Sequence, residues 1–77
     1  MNLEQLKGKW KQLKGEVKQR WGKLTHDEID EMDGEFDELV GRIQERYGIA
    51  KEKAREQVNE WLYQLDKRLE DVTEPNS

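Results

Sequence analysis

The 77-residue chain contains no cysteine, which excludes disulfide scaffolds, thiolate metal sites and thiol catalysis. Its single proline, Pro75, lies near the C-terminus, so no proline interrupts the interior. The longest apolar run is Trp61-Leu62-Tyr63, three residues against the roughly 20 that a membrane-spanning helix needs. Met1 to Leu6 lacks the basic-then-apolar pattern of a secretory signal, so a cytoplasmic location is expected. Apolar residues are scarce at 32%, whereas Asp, Glu, Lys and Arg make up 42%. That composition leaves room for one small domain, read as residues 1–72, followed by a flexible tail, 73–77.

A domain of this length buries only about 60% of the surface of its unfolded chain, so large side chains have to be concentrated for it to fold. Six of the 25 apolar residues are aromatic: Trp10, Trp21, Phe36, Tyr47, Trp61 and Tyr63. Each buried ring removes roughly 150–250 Å² from water. The net charge is only -4, from 14 basic and 18 acidic residues, and the apolar positions are strongly periodic. Both features argue for order against disorder.

Leu3, Leu6, Trp10, Leu13, Val17 and Trp21 follow steps of three or four, which predicts one helix from about Leu3 to Trp21. Gly22 is expected to close it in the left-handed conformation open to a residue without Cβ. Thr25-His26-Asp27-Glu28 reads as a capping box opening a short second helix that carries Ile29 and Met32 and ends at Gly34. Phe36, Leu39, Val40, Ile43 and Tyr47 predict a third helix closed by Gly48. Ala54, Val58, Trp61, Leu62, Leu65 and Leu69 predict a fourth, with Ala50 at the N-cap, where it has no side-chain acceptor to offer. Tyr63 falls opposite that stripe and is expected at the surface. The fold class is all-α: a small four-helix domain.

A shift of 26 residues lays Gly8–Gly22 on Gly34–Gly48, with five identities in fifteen positions and aromatic or branched residues conserved in type at three more. Matched glycines are not required by amphipathicity, so the pattern is read as an internal duplication, each half a helical hairpin packed on the other. Gly15 and Gly41 fall away from the apolar stripes and are expected to be exposed helix interiors.

The stretches Gly8–Lys18 (GKWKQLKGEVK), Trp21–Thr25 (WGKLT) and Gly41–Ile49 (GRIQERYGI) together resemble the CsbD-like family of small bacterial stress proteins. The resemblance spans roughly Leu6 to Trp61. It implies a small helical domain made under general stress, and it carries no catalytic or ligand residues.

The chemistry-bearing residues point the same way. Nucleophilic catalysis needs a hydroxyl or thiol beside a base. The hydroxyl candidates are Thr25, taken up by the cap, and Thr73 and Ser77 in the tail; His26 reads as a solvated first-turn residue. No enzyme activity and no cofactor are expected. Residues 27–38 hold eight carboxylates, but placing Gly34 at the sixth position of a calcium-binding EF-hand loop puts Ile29 first and Val40 twelfth, where oxygen ligands are required. No metal site is assigned.

Charge is unevenly distributed: +5 over residues 1–24, -8 over 25–41 and -1 over 42–77. Lys7, Lys9, Lys11, Lys14 and Lys18, interleaved with Trp10 and Trp21, form a candidate basic interaction face for phosphates or an anionic membrane surface. The competing reading, which the negative total favours, is that this basic helix answers the acidic segment within the fold. The expectation is a monomeric, non-enzymatic stress protein that acts on an unknown macromolecular partner, with nucleic acid admitted but not favoured. A hydrophilic protectant under osmotic or desiccation stress is the alternative, suggested by a mean hydropathy of -1.25.

Overall fold

The structure, a computed structural model, describes residues 1–73, and the side-chain surroundings of residues 1–68. Of the expected tail, 73–77, Thr73 ends α5, and the other four residues, like the core position expected of Leu69, lie outside the described residues. The described chain is helical throughout: α1 (Leu3–Gly8), α2 (Trp10–Arg20), α3 (His26–Glu31), α4 (Phe36–Tyr47) and α5 (Lys51–Thr73).

The first expected helix is two. Asn2 opens α1 with a capping box: its side chain accepts from the Gln5 N–H at 2.8 Å, and the Gln5 side chain accepts from the Asn2 N–H at 3.0 Å. The helix then breaks at Lys9, whose φ of -106° and ψ of 11° are not helical. The apolar period runs through the break without a slip, because Leu6 and Trp10 are still four apart. Gly8, a weak helix former, ends α1 just before the break. Gly34, with φ of 82°, is pressed against the break, and a Cβ there would stand 2.9 Å from Trp10 Cβ, 3.0 Å from Lys7 Cα and 3.1 Å from Leu6 O. Only glycine fits that contact in that conformation.

Two end signals differ from expectation, at Gly34 and at Gly22: α3 ends at Glu31 with Met32 as its C-cap, short of Gly34. Gly22 does not adopt a positive φ; α2 stops at Trp21, whose N–H donates to Val17 O. Gly48 does close α4 in the left-handed conformation, with φ of 62° and its N–H donating to Gln44 O at 2.8 Å. The two matched glycines of the proposed repeat therefore take different conformations, and the duplication rests on the sequence pattern alone. The hairpin pairings, α2 with α3 and α4 with α5, are present.

The core gathers the expected stripes. Leu6, Trp10, Leu13, Val17, Trp21, Ile29, Met32, Leu39, Val40, Ile43, Ala54, Val58, Trp61, Leu62 and Leu65 are buried, and Leu24 joins them from the loop. Leu3, counted in the first stripe, is instead 55% exposed. Phe36 and Tyr47 pack at the edge of the core, half-buried, and Tyr63 is exposed as expected. Trp21 meets Trp61 edge to face, centroids 5.3 Å apart, and donates through Nε1 to Gln57 Oε1 at 2.9 Å. With Arg68 reaching Glu16 at 2.9 Å, these contacts run α2 antiparallel to α5.

Candidate functional site

The five lysines of the candidate basic face lie on α1, α2 and the junction between them, and they do not form one free row. Lys7 Nζ lies 2.8 Å from Glu35 Oε1, at the entrance to α4. The hydrogen bond and charge of Glu35, with a contribution from Asp33, hold the Lys7 ammonium above the usual lysine range. Lys14 Nζ lies 3.1 Å from Asp30 Oδ1 on α3. Lys18 serves the backbone: its ammonium donates to Gly22 O at 2.8 Å and Leu24 O at 2.7 Å, satisfying carbonyls of the loop that follows α2. Lys9 and Lys11 are exposed and make no ion pair among the described residues.

Lys9 also lines a cleft of about 380 Å³ between the N-terminal helices and α5, together with Met1, Gln12, Leu13, Glu16, Leu65 and Arg68. Among its lining residues Glu16 pairs with Arg68, and the N-terminal amine of Met1 pairs with Asp66.

The acidic segment divides into three sets. Glu35 and Asp30 meet the lysines just named. Asp27, Glu31, Asp33, Asp37 and Glu38 reach solvent. Glu28 is buried, 3% exposed, a role that sequence reasoning missed. Its backbone N–H donates to Thr25 Oγ1 at 3.1 Å, the expected half of the capping box. Its carboxylate does not return to the Thr25 N–H. It accepts instead from Arg46 Nε at 3.1 Å, from Arg46 Nη2, and from the Thr25 hydroxyl at 3.3 Å. The fork of Arg46 outweighs the penalty of burial and holds the Glu28 carboxyl below the usual glutamate range. The same contact raises Arg46.

That arrangement leaves little for catalysis. The Thr25 hydroxyl does face a carboxylate, but Glu28 is a weak base while Arg46 grips both its oxygens. His26 is exposed on the first turn of α3. Among the described residues no three His, Cys, Asp or Glu side chains converge to hold a metal ion, and no helix is long and apolar enough to cross a membrane.

Comparison with known proteins agrees with the motifs. A CsbD-like family profile matches residues 4–56. A UPF0337 protein of Rhodopseudomonas palustris is 48% identical over 65 residues, covering 84% of this chain and 98% of the relative. A UPF0337 protein of Pseudomonas aeruginosa is 51% identical over 65 residues, covering 84% of this chain and all of the relative, 100%. One from Pectobacterium atrosepticum is 54% identical over 61 residues, covering 79% and 88%. No solved structure matches the chain at a significant level. With most of its helical domain matched, α1 through the first turns of α5, the chain belongs to the CsbD-like family of general stress proteins.

Proposed function

We propose that the protein is a non-enzymatic component of the bacterial stress response, acting in the cytoplasm as a monomer by contact with another macromolecule. The observation that carries the choice of partner class is the internal use of the basic face. Lys7 and Lys14 are held by Glu35 and Asp30, and Lys18 by two loop carbonyls. A polyanion would have to displace these partners while meeting the repulsion of the exposed carboxylates beside them. A protein partner that offers its own mixed charges meets neither obstacle. This favours a protein over nucleic acid or an anionic membrane.

Crosslinking in stressed cells, read by mass spectrometry, tests the reading. One dominant protein partner is expected; a diffuse set of neighbours would favour the solvating protectant instead. A second measurement addresses polyanions. Binding to DNA, RNA or anionic vesicles is expected to be weak even at low salt. Sub-micromolar affinity at physiological salt, with the logarithm of affinity falling by about 0.7–0.9 per phosphate contact against the logarithm of salt and lost on replacing Lys7, Lys9, Lys11, Lys14 and Lys18, would overturn it.

A further inference from the structure

We propose that the acidic segment is an acid-sensitive latch: protonation of Glu28 and its neighbouring carboxylates releases α3 from the bundle before the body of α2, α4 and α5 comes apart.

The argument rests on which groups tie each part of the fold. α3 has six residues, too few to remain helical without tertiary support. Beyond the burial of Ile29 and Met32, α3 is joined to the rest, among the described residues, by two polar side-chain contacts, Glu28 with Arg46 of α4 and Asp30 with Lys14 of α2, while Glu35 at the N-cap of α4 pairs with Lys7 of α1. Every one has its carboxylate on the acidic segment and its cation elsewhere. Each contact is lost when its carboxylate loses its charge. The body is tied differently. Trp21 to Gln57 is a neutral hydrogen bond, Trp21 to Trp61 an aromatic contact, and the Lys23 N–H to Tyr47 hydroxyl bond, 3.2 Å, involves no carboxylate. Glu16–Arg68 and Met1–Asp66 are the exceptions that involve a carboxylate, both beside the cleft.

Glu28 is the central element because it is buried. The charges that face it from α4 are Arg46 and Arg42, with Glu45 beside Arg46; its own helix carries Asp27, Asp30 and Glu31, and α2 supplies Lys14 opposite Asp30. Once Glu28 is neutral, the guanidinium of Arg46, itself 44% exposed, is better solvated by water than by a carboxylic acid. The pair then no longer holds α3 against α4. Arg46 keeps Glu28 ionised below its ordinary value near 4.5, so the latch stays shut near neutrality. Opening bares Ile29, Met32 and the side of α2 that α3 covers.

Hydrogen exchange of the intact chain, expressed as protection factors from neutral pH into acid, tests this. Amides of residues 26–32 are expected to lose protection at a higher pH than those of residues 39–47 and 54–65. At neutral pH, Glu28→Gln is expected to lower protection of residues 26–32 at least tenfold while changing α5 less. Loss of protection in α3 and α5 at the same pH in the unmodified chain would overturn the proposal, and that titration decides even where the variant does not fold. A folded Glu28→Gln chain with α3 protected as before would overturn it equally.

Discussion

Gly34 sits against Trp10 so closely that a Cβ on the glycine would lie 2.9 Å from the tryptophan Cβ. The close approach and the positive φ together reserve the position for glycine. Gly34→Ala should destabilise the fold by roughly 2–4 kcal/mol, combining left-handed strain with overpacking against the backbone of Leu6 and Lys7. Urea denaturation measures the loss; a change below ~0.5 kcal/mol would show that the break relaxes freely.

Gly15 and Gly41 are the opposite case, helix-interior glycines where an added Cβ would meet nothing within 4 Å. Gly15→Ala and Gly41→Ala should each stabilise by up to ~1 kcal/mol. Destabilisation of both by thermal and chemical melts would reveal a neighbour that needs the space.

The start of α5 offers a third test. Ala50 is exposed, and its carbonyl accepts from the Ala54 N–H at 3.0 Å, which places it at the N-cap. Ala50→Ser should add about 0.5–2 kcal/mol by giving an orphan N–H of the first turn an acceptor. No shift in the denaturation midpoint would rule out residue 50 as the cap.

The lysines should separate by mechanism. Replacing Lys7 or Lys14 with Gln removes a surface ion pair, so the loss of stability should be small in dilute buffer and vanish at high salt. Lys18→Met should cost more, and salt should not erase the difference, because two loop carbonyls lose their donor. Equal salt sensitivity in all three variants would contradict the assignment of Lys18.

Glu28 sets a pH dependence with a definite sign. Its carboxyl ionises at lower pH in the folded chain than in the unfolded one, so its stabilisation is complete above the unfolded value and is lost as pH falls through the folded value. The gap in stability between the unmodified chain and Glu28→Gln should be widest near neutrality and narrow in acid. A constant gap across pH would deny the ion pair its role.

Helix type and facing were legible in the sequence wherever the cause was local. The stripes of α2, α4 and α5, the Thr25 cap and the Gly48 stop follow from periods and end signals carried within a few residues. What was not legible came from distance. The close packing of Gly34 on Leu6, Lys7 and Trp10 joins positions far apart in sequence, and the capping-box carboxylate of Glu28 is drawn away by Arg46, 18 residues on. Leu24 lies three residues beyond Trp21 but past the end of α2, where a helical period no longer fixes its facing, and it is fully buried in a loop whose carbonyls at Gly22 and at Leu24 itself are held by Lys18. At the candidate face, sequence located every lysine but could not say which anion each one meets. The alternation of charge blocks anticipated the outcome for Lys7 and Lys14, and nothing in it distinguished Lys18.

The edge-to-face meeting of Trp21 and Trp61 has an optical consequence. Two indoles held 5.3 Å apart with their planes at 73° form a coupled pair of chromophores of fixed handedness. Coupling of their electronic transitions is expected to give the folded chain a circular-dichroism couplet that the separated rings of the unfolded chain lack. One indole sits at the C-terminal end of α2 and the other on α5, so the couplet reports the docking of those two helices alone. It gives a native, label-free signal for one seam of the bundle, distinct from the amide signal that sums over every helix.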